Sequence, residues 1–125
     1  LTEIEDRDWL FRRLHPSCFK KSGALSSATF KVNSSPENEI SVDLARLTTP
    51  IESVNRAGRL GFQLGKLQAL GPRKLGFDVV HGPRRFPANP EDDNEAHTLI
   101  KGENTPRLCK ELARLVTIVE GVRSE

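Results

Sequence analysis

Apolar and polar positions change their period several times along this chain, and each change marks an element boundary. Ile40, Val42 and Leu44 alternate with Ser41 and Asp43, the period of two of a half-buried strand with one wet face. Residues 28–32 alternate similarly, so the two segments are expected to pair as a hairpin closed by the turn residues of 34–38. A strand is expected over 9–14, carrying Trp9, Phe11 and Leu14. It ends at His15-Pro16, because a residue before proline is pushed to extended geometry and proline cannot continue a central ladder. Thr2 and Glu5 also have the spacing of a capping box, which leaves a short N-terminal helix open as an alternative reading.

The clearest local signal is Thr49-Pro50-Ile51-Glu52. Thr49 can accept from a first-turn N–H, Pro50 has no donor to lose at the first helical position, and Glu52 can reach back to the cap. A helix is therefore expected from Pro50 to near Gly58, which suits the left-handed geometry just past a helix end. Next come a strand over 60–64, a helical turn over 66–70 stopped by Gly71-Pro72, and a strand over 77–81 with β-branched Val79 and Val80 at its centre. Residues 83–94 hold prolines and acids and read as a long surface connection, followed by a strand over 96–101. Asn104 or Thr105 then caps a helix running to about Glu120, with Leu108, Leu112, Leu115 and Val119 as its buried stripe and Cys109 and Val116 beside it. The sum is an α+β fold: a small mixed or mainly antiparallel sheet of five or six strands with two or three helices, the C-terminal helix packed on one face.

Composition narrows the class. At 125 residues the chain can bury one core, and 1–125 reads as a single domain. With 29% charged and 36% hydrophobic residues it falls among water-soluble globules, away from disordered chains. No apolar run approaches the roughly 18 to 20 residues a bilayer crossing needs. The polar, acidic start lacks the pattern of a secretory signal. The chain has no Met, even at its start, and reads as trimmed or as part of a longer protein. Cys18 and Cys109 lie far apart without CxxC spacing, which suits reduced thiols and a cytoplasmic location.

Charge is distributed unevenly around a net value of +2. From Arg56 to Arg85 the basic residues meet only Asp78, and Phe62, Phe77 and Phe86 are interleaved with them, as in a single-strand nucleic-acid binder. The run Glu91-Asp92-Asp93-Asn94-Glu95 then reads as a solvated acidic loop. Asp43 reads as a surface charge and Glu52 as a cap partner.

The residues that look least like scaffolding are His15, His81 and His97, each at a strand end or beside turn residues. Two imidazoles facing each other would supply an acid and a base that titrate near neutral pH. Arg13, Arg84 or Arg85 would supply the cation that phosphodiester chemistry needs, and the doublets Arg12-Arg13 and Arg84-Arg85 would strengthen such a site if the fold brought them together. A metal is the weaker reading. His15-Ser-Pro-Cys18 has finger-like spacing and His81, His97 or Asp78 would complete a set, yet no second close pair exists and no metal or cofactor is expected. Ser26 and Ser27 lack a GxSxG elbow, and no P-loop or dinucleotide fingerprint is present.

Two functions follow. One is a domain that binds, and in its catalytic form cleaves, a phosphate-bearing ligand such as RNA or DNA. The other is a noncatalytic protein-interaction module, part of a longer chain. Neither requires a membrane, and the residues do not decide whether the chain is an enzyme or what its oligomeric state is.

Overall fold

Alternation over residues 9–14 and 40–44 produces strands β1 (Trp9–Leu14) and β2 (Glu39–Leu44) in a computed structural model that describes residues 1–31 and 39–125. Four further strands complete the described sheet: β3 (Gln63–Gln68), β4 (Asp78–His81), β5 (His97–Lys101) and β6 (Thr117–Arg123). They lie in the order β4-β5-β2-β1-β3-β6, with every neighbour antiparallel. The helices are α1 (Pro50–Asn55), α2 (Leu70–Lys74) and α3 (Pro106–Arg114). No helix among the described residues is long and apolar enough to cross a membrane.

Each face of the sheet has its own cover. Leu10, Ile40, Val42, Leu44, Leu67 and Ile100 share one face, and Leu112 of α3 with Phe30 closes over them. On the opposite face, Phe11 and Leu64 pack against Val54 of α1, with Val119 and Val122 of β6 beside them. Helix α1 contacts β1, β3 and β6. Toward β2 the same helix reaches this face through the Ser53 hydroxyl, bonded to Asp43, and the candidate site lies beside that bond, over β2 and β5.

Several expected elements take a different form. Residues 27–30 make a 3-10 turn capped by Ser26, not the outer strand of a hairpin, and β2 pairs instead with β1 and β5. Val32 and the 34–38 turn lie outside the described residues. The strand expected over 60–64 and the helical turn over 66–70 are replaced by one strand, β3, and Gly71 and Pro72 lie inside α2 rather than stopping a helix. At Leu70-Gly71-Pro72 the ring occupies the first turn, where its missing N–H costs nothing. Thr2 and Glu5 cap no helix, since helical structure is absent before Trp9.

The C-terminal helix is shorter than its apolar spacing suggests. Thr105 caps it as expected, its hydroxyl accepting from the Leu108 N–H at 3.2 Å, but it ends at Arg114 and residues 117–123 form β6. Val116, Thr117, Ile118 and Val119 are a β-branched run that is stiff in a helix and suits a pleated edge. Gly121 follows at φ 73°, inside the left-handed region.

Candidate functional site

The residues that meet over this part of the sheet come from β1, β2, β5, α1 and the β4–β5 connection. In β2 the odd positions Ser41 and Asp43 face away from the aliphatic core, and in β5 His97 pairs with Asp43 in the ladder. Arg13 of β1 reaches the same place. Its Nη1 donates to Asp43 Oδ2 at 2.9 Å and to the Ser53 carbonyl at 3.2 Å.

Asp43 is the hub, and the structure corrects its reading as a surface charge, because the residue has no exposed surface. Its Oδ2 also accepts from the Ser53 hydroxyl at 2.7 Å and from Arg56 Nη1 at 3.0 Å, and Oδ1 accepts from Asn94 Nδ2 at 2.8 Å. Burial alone would raise the pKa of this carboxyl. The Ser53 hydroxyl, Arg13, Asn94 and Arg56 together outweigh it and hold Asp43 below the ordinary aspartate range. Glu52 behaves as expected, exchanging bonds with the Thr49 cap.

His97 sits beside this hub, with its ring fixed at both nitrogens. Nδ1 lies 2.7 Å from the Gly82 carbonyl, and Nε2 lies 3.2 Å from Ser41 Oγ. A carbonyl only accepts, so the proton is on Nδ1 and the Nε2 lone pair faces the serine hydroxyl. Burial lowers the His97 pKa and the nearby charges of Arg84 and Arg13 add to the effect, against the Gly82 bond and Asp43. The imidazole is therefore neutral at pH 7.

The connection between β4 and β5 walls the other side. It is pinned rather than floating. Arg84 and Asn94 exchange backbone bonds at 3.0 and 2.9 Å, Asp93 Oδ1 accepts from the Phe86 N–H at 2.7 Å, and Glu95 pairs with Arg85. Between this wall and α1 is a cleft of about 820 Å³, floored by Ser41, His97 and Asn94. Arg13, Arg56 and Arg84 line it, and so do Glu52, Glu91, Asp92 and Asp93.

The other candidate residues are placed elsewhere. His81 is on the strand next to His97, but successive side chains alternate across a sheet and His81, opposite Thr98, turns to the other face. There its Nδ1 accepts from the Thr2 N–H at 3.0 Å and its Nε2 donates to the Glu95 carbonyl at 2.6 Å. His15 caps the 3-10 turn at Pro16–Cys18, accepting from the Ser17 N–H, and its ring meets Phe62 edge-on at 5.3 Å. The three imidazoles therefore do not share a site. The arginine doublets are split as well: Arg13 and Arg84 line the cleft, Arg12 bonds the carbonyls of Thr29 and Ser41, and Arg85 is taken by Glu95 at 2.6 Å.

Among the described residues no group of His, Cys, Asp and Glu is arranged to hold a metal. Cys18 and Cys109 are both free thiols, and Cys109 is buried with its Sγ 3.2 Å from Asn104 Oδ1. Ser41, Asp43, Ser53 and Asn94 are the site residues that sequence reasoning missed. Only the polar side of the β2 alternation hinted at the first two, and the contacts that join the rest span 10 to 51 residues. No family model matches this chain, and neither a curated protein nor a solved structure does.

Proposed function

We propose that the chain binds a small phosphate-bearing ligand, such as a nucleotide or the end of an RNA or DNA strand, in the cleft between α1 and the β4–β5 connection. One observation carries this reading: Arg84 lines the cleft beside His97, and its guanidinium makes no hydrogen bond or ion pair with a described residue. Arg13 stands near it, held by Asp43 through one nitrogen. Guanidinium groups on one concavity suit phosphate oxygens, with Arg84 offering its whole fork and Arg13 the nitrogens not given to Asp43 and the Ser53 carbonyl.

The surroundings favour a small ligand. Phe86 is 42% exposed on the cleft wall and offers a stacking face to a base. Glu52, Glu91, Asp92 and Asp93 on the same cleft repel a long polyanion, so a single phosphate beside Arg84 fits better than a strand lying across it. The free thiols suit a reducing compartment such as the cytoplasm. The alternative, a noncatalytic protein-interaction module, is favoured by the way His15 and His81 are bonded into the fold.

The test is NMR titration of the chain with a nucleoside monophosphate, inorganic phosphate and a single-stranded oligonucleotide. The monophosphate should shift the amides around Ser41, Arg84 and His97. Arg84→Ala should weaken it about tenfold or more, the loss of a hydrogen bond to a charged group. Arg85→Ala should leave it within about twofold, because an exposed ion pair contributes little. Cleft amides that stay in place at millimolar ligand would favour the interaction module.

A further inference from the structure

We propose that Ser41 is a nucleophile and His97 its general base, so that the cleft transfers the phosphoryl group of a bound phosphate ester to Ser41. The inference rests on the phosphate-binding reading and adds a reaction to it.

The separation of His81 from His97 removes a two-histidine acid and base as the machinery of this site, and a serine faces His97 in their stead. Ser41 Oγ is 3.2 Å from His97 Nε2, within the reach a base needs to take a hydroxyl proton. The ring cannot turn away, since the Gly82 carbonyl holds Nδ1 at 2.7 Å and fixes the tautomer that leaves Nε2 basic. This is the relation of serine, imidazole and orienting acceptor that nucleophilic hydrolases use, with a backbone carbonyl in the orienting place.

Ser41 is also held from behind. Beta strands β1 and β2 are in register only at Leu10–Leu44 and Phe11–Asp43. Beyond that register, the Ser41 carbonyl accepts from Arg12 Nη1 at 2.7 Å. Arg12 in turn bonds the Thr29 carbonyl at 2.9 Å and lies 5.6 Å from the Phe30 ring centroid. Burial, with Arg13 beside it, pulls the Arg12 guanidinium down to about 10, so it stays charged at neutral pH. Arg12 is thus a positioning residue for the nucleophile. Ser41 also lines the cleft together with Arg13 and Arg84, where a phosphate bound by them would meet its hydroxyl.

The two steps need water as their one co-reactant. The Ser41 O–H proton passes to His97 Nε2 as Oγ bonds to phosphorus and the ester P–O bond breaks. The departing alkoxide leaves in line, on the side of phosphorus away from His97, and takes its proton from water, while His97 keeps the proton from Ser41. Arg13 and Arg84 take up the charge on the equatorial oxygens. Water then attacks phosphorus from the side the alkoxide left, the Oγ–P bond breaks, and His97 returns its proton to Oγ, so that inorganic phosphate leaves with Ser41 restored. The charged groups that face His97 are Arg13 from β1, Asp43 from β2 and Arg84 from the connection.

Intact-mass measurement after acid quench, with aryl phosphate monoesters as probes, tests this directly. The expected result is a chain heavier by one phosphoryl group, mapped to Ser41, together with aryl alcohol release. Ser41→Ala should abolish the adduct and lower turnover by at least about a hundredfold, while binding inorganic phosphate within about threefold of the wild type. His97→Gln should lower turnover by about 10²-fold or more and remove the acid limb from the pH profile of kcat/KM, a change that a merely structural role would not produce. Phosphate binding without adduct or turnover, or turnover retained in Ser41→Ala, overturns the nucleophile assignment alone. Absence of phosphate binding overturns the cleft reading as well.

Discussion

Asp43 combines full burial with a formal charge, so its worth depends on the groups around it. A carboxylate taken out of water is tolerated only when its lone pairs are filled, and here Ser53, Arg13, Arg56 and Asn94 fill them. Asp43→Ala strands two half-buried guanidinium groups that now balance it, whose side chains are 23% and 26% exposed. It should cost about 3 to 5 kcal/mol, the penalty for breaking a buried pair. Urea unfolding checks this, and a loss under about 1 kcal/mol would mean that the arginines find solvent without Asp43. The same residue shows where the site was illegible. His97, Arg13 and Arg84 were visible in the sequence as a strand-end imidazole and cations beside turns. Asp43 and Ser41 were visible only as the polar side of an alternating strand, since a polar face reads the same whether water or a ring of arginines covers it.

At the scale of elements, what was legible had a local cause. Thr49-Pro50 starts α1 and Thr105-Pro106 starts α3, since caps act through atoms a few residues apart. What was misread turned on competition between neighbours. The Leu108, Leu112, Leu115 and Val119 spacing favours one long helix, but Leu115 is 40% exposed and Val119 packs from β6 against Phe11, Val54 and Leu64. Pairing with β3 at Thr117, Ile118 and Arg123 joins β6 to the sheet and covers Leu64, a tertiary gain that helical spacing cannot report. The β3–β6 junction depends on Gly65. A Cβ there would come within 2.5 Å of Val116 Cγ1 and 3.1 Å of Leu14 Cδ1. Gly65→Ala should therefore destabilise the chain by about 1 to 3 kcal/mol through overpacking. It should also raise amide exchange in β6 more than in β4, at the far edge of the sheet. Equal exchange at both edges would mean that Val116 yields without disturbing the strand.

For the molecule as a whole, His97 and Asp43 link stability to pH in two separate windows. His97 has a folded pKa below its unfolded value of about 6.5, so above that value both states are neutral and stability does not depend on this group. As pH falls below about 6.5 the unfolded chain takes up a proton that the folded chain refuses. Stability drops until the folded imidazole titrates, and then levels. Asp43 and Asp8 follow the carboxylate case. Burial opposes the charged form in both, but Asp43's partners, and Arg46 with the Glu5 N–H around Asp8, hold the folded values below the ordinary range. Their contribution is present above about pH 4 and is lost as pH falls through the folded values. Urea midpoints measured from pH 8 to pH 3 should therefore show one decline starting near pH 6.5 and a second below about pH 4. His97→Gln should flatten the first decline and leave the second, whereas an unchanged first decline would assign it to a group other than His97. The preference that makes the folded chain sensitive to mild acid keeps the Nε2 lone pair available to Ser41 at neutral pH. A substitution that made His97 easier to protonate, such as Arg84→Gln, which removes the charge beside the ring, should therefore soften the first decline and move the acid limb of the residual phosphoryl transfer to higher pH. Movement of one without the other would show that the fold and the reaction do not depend on the same imidazole.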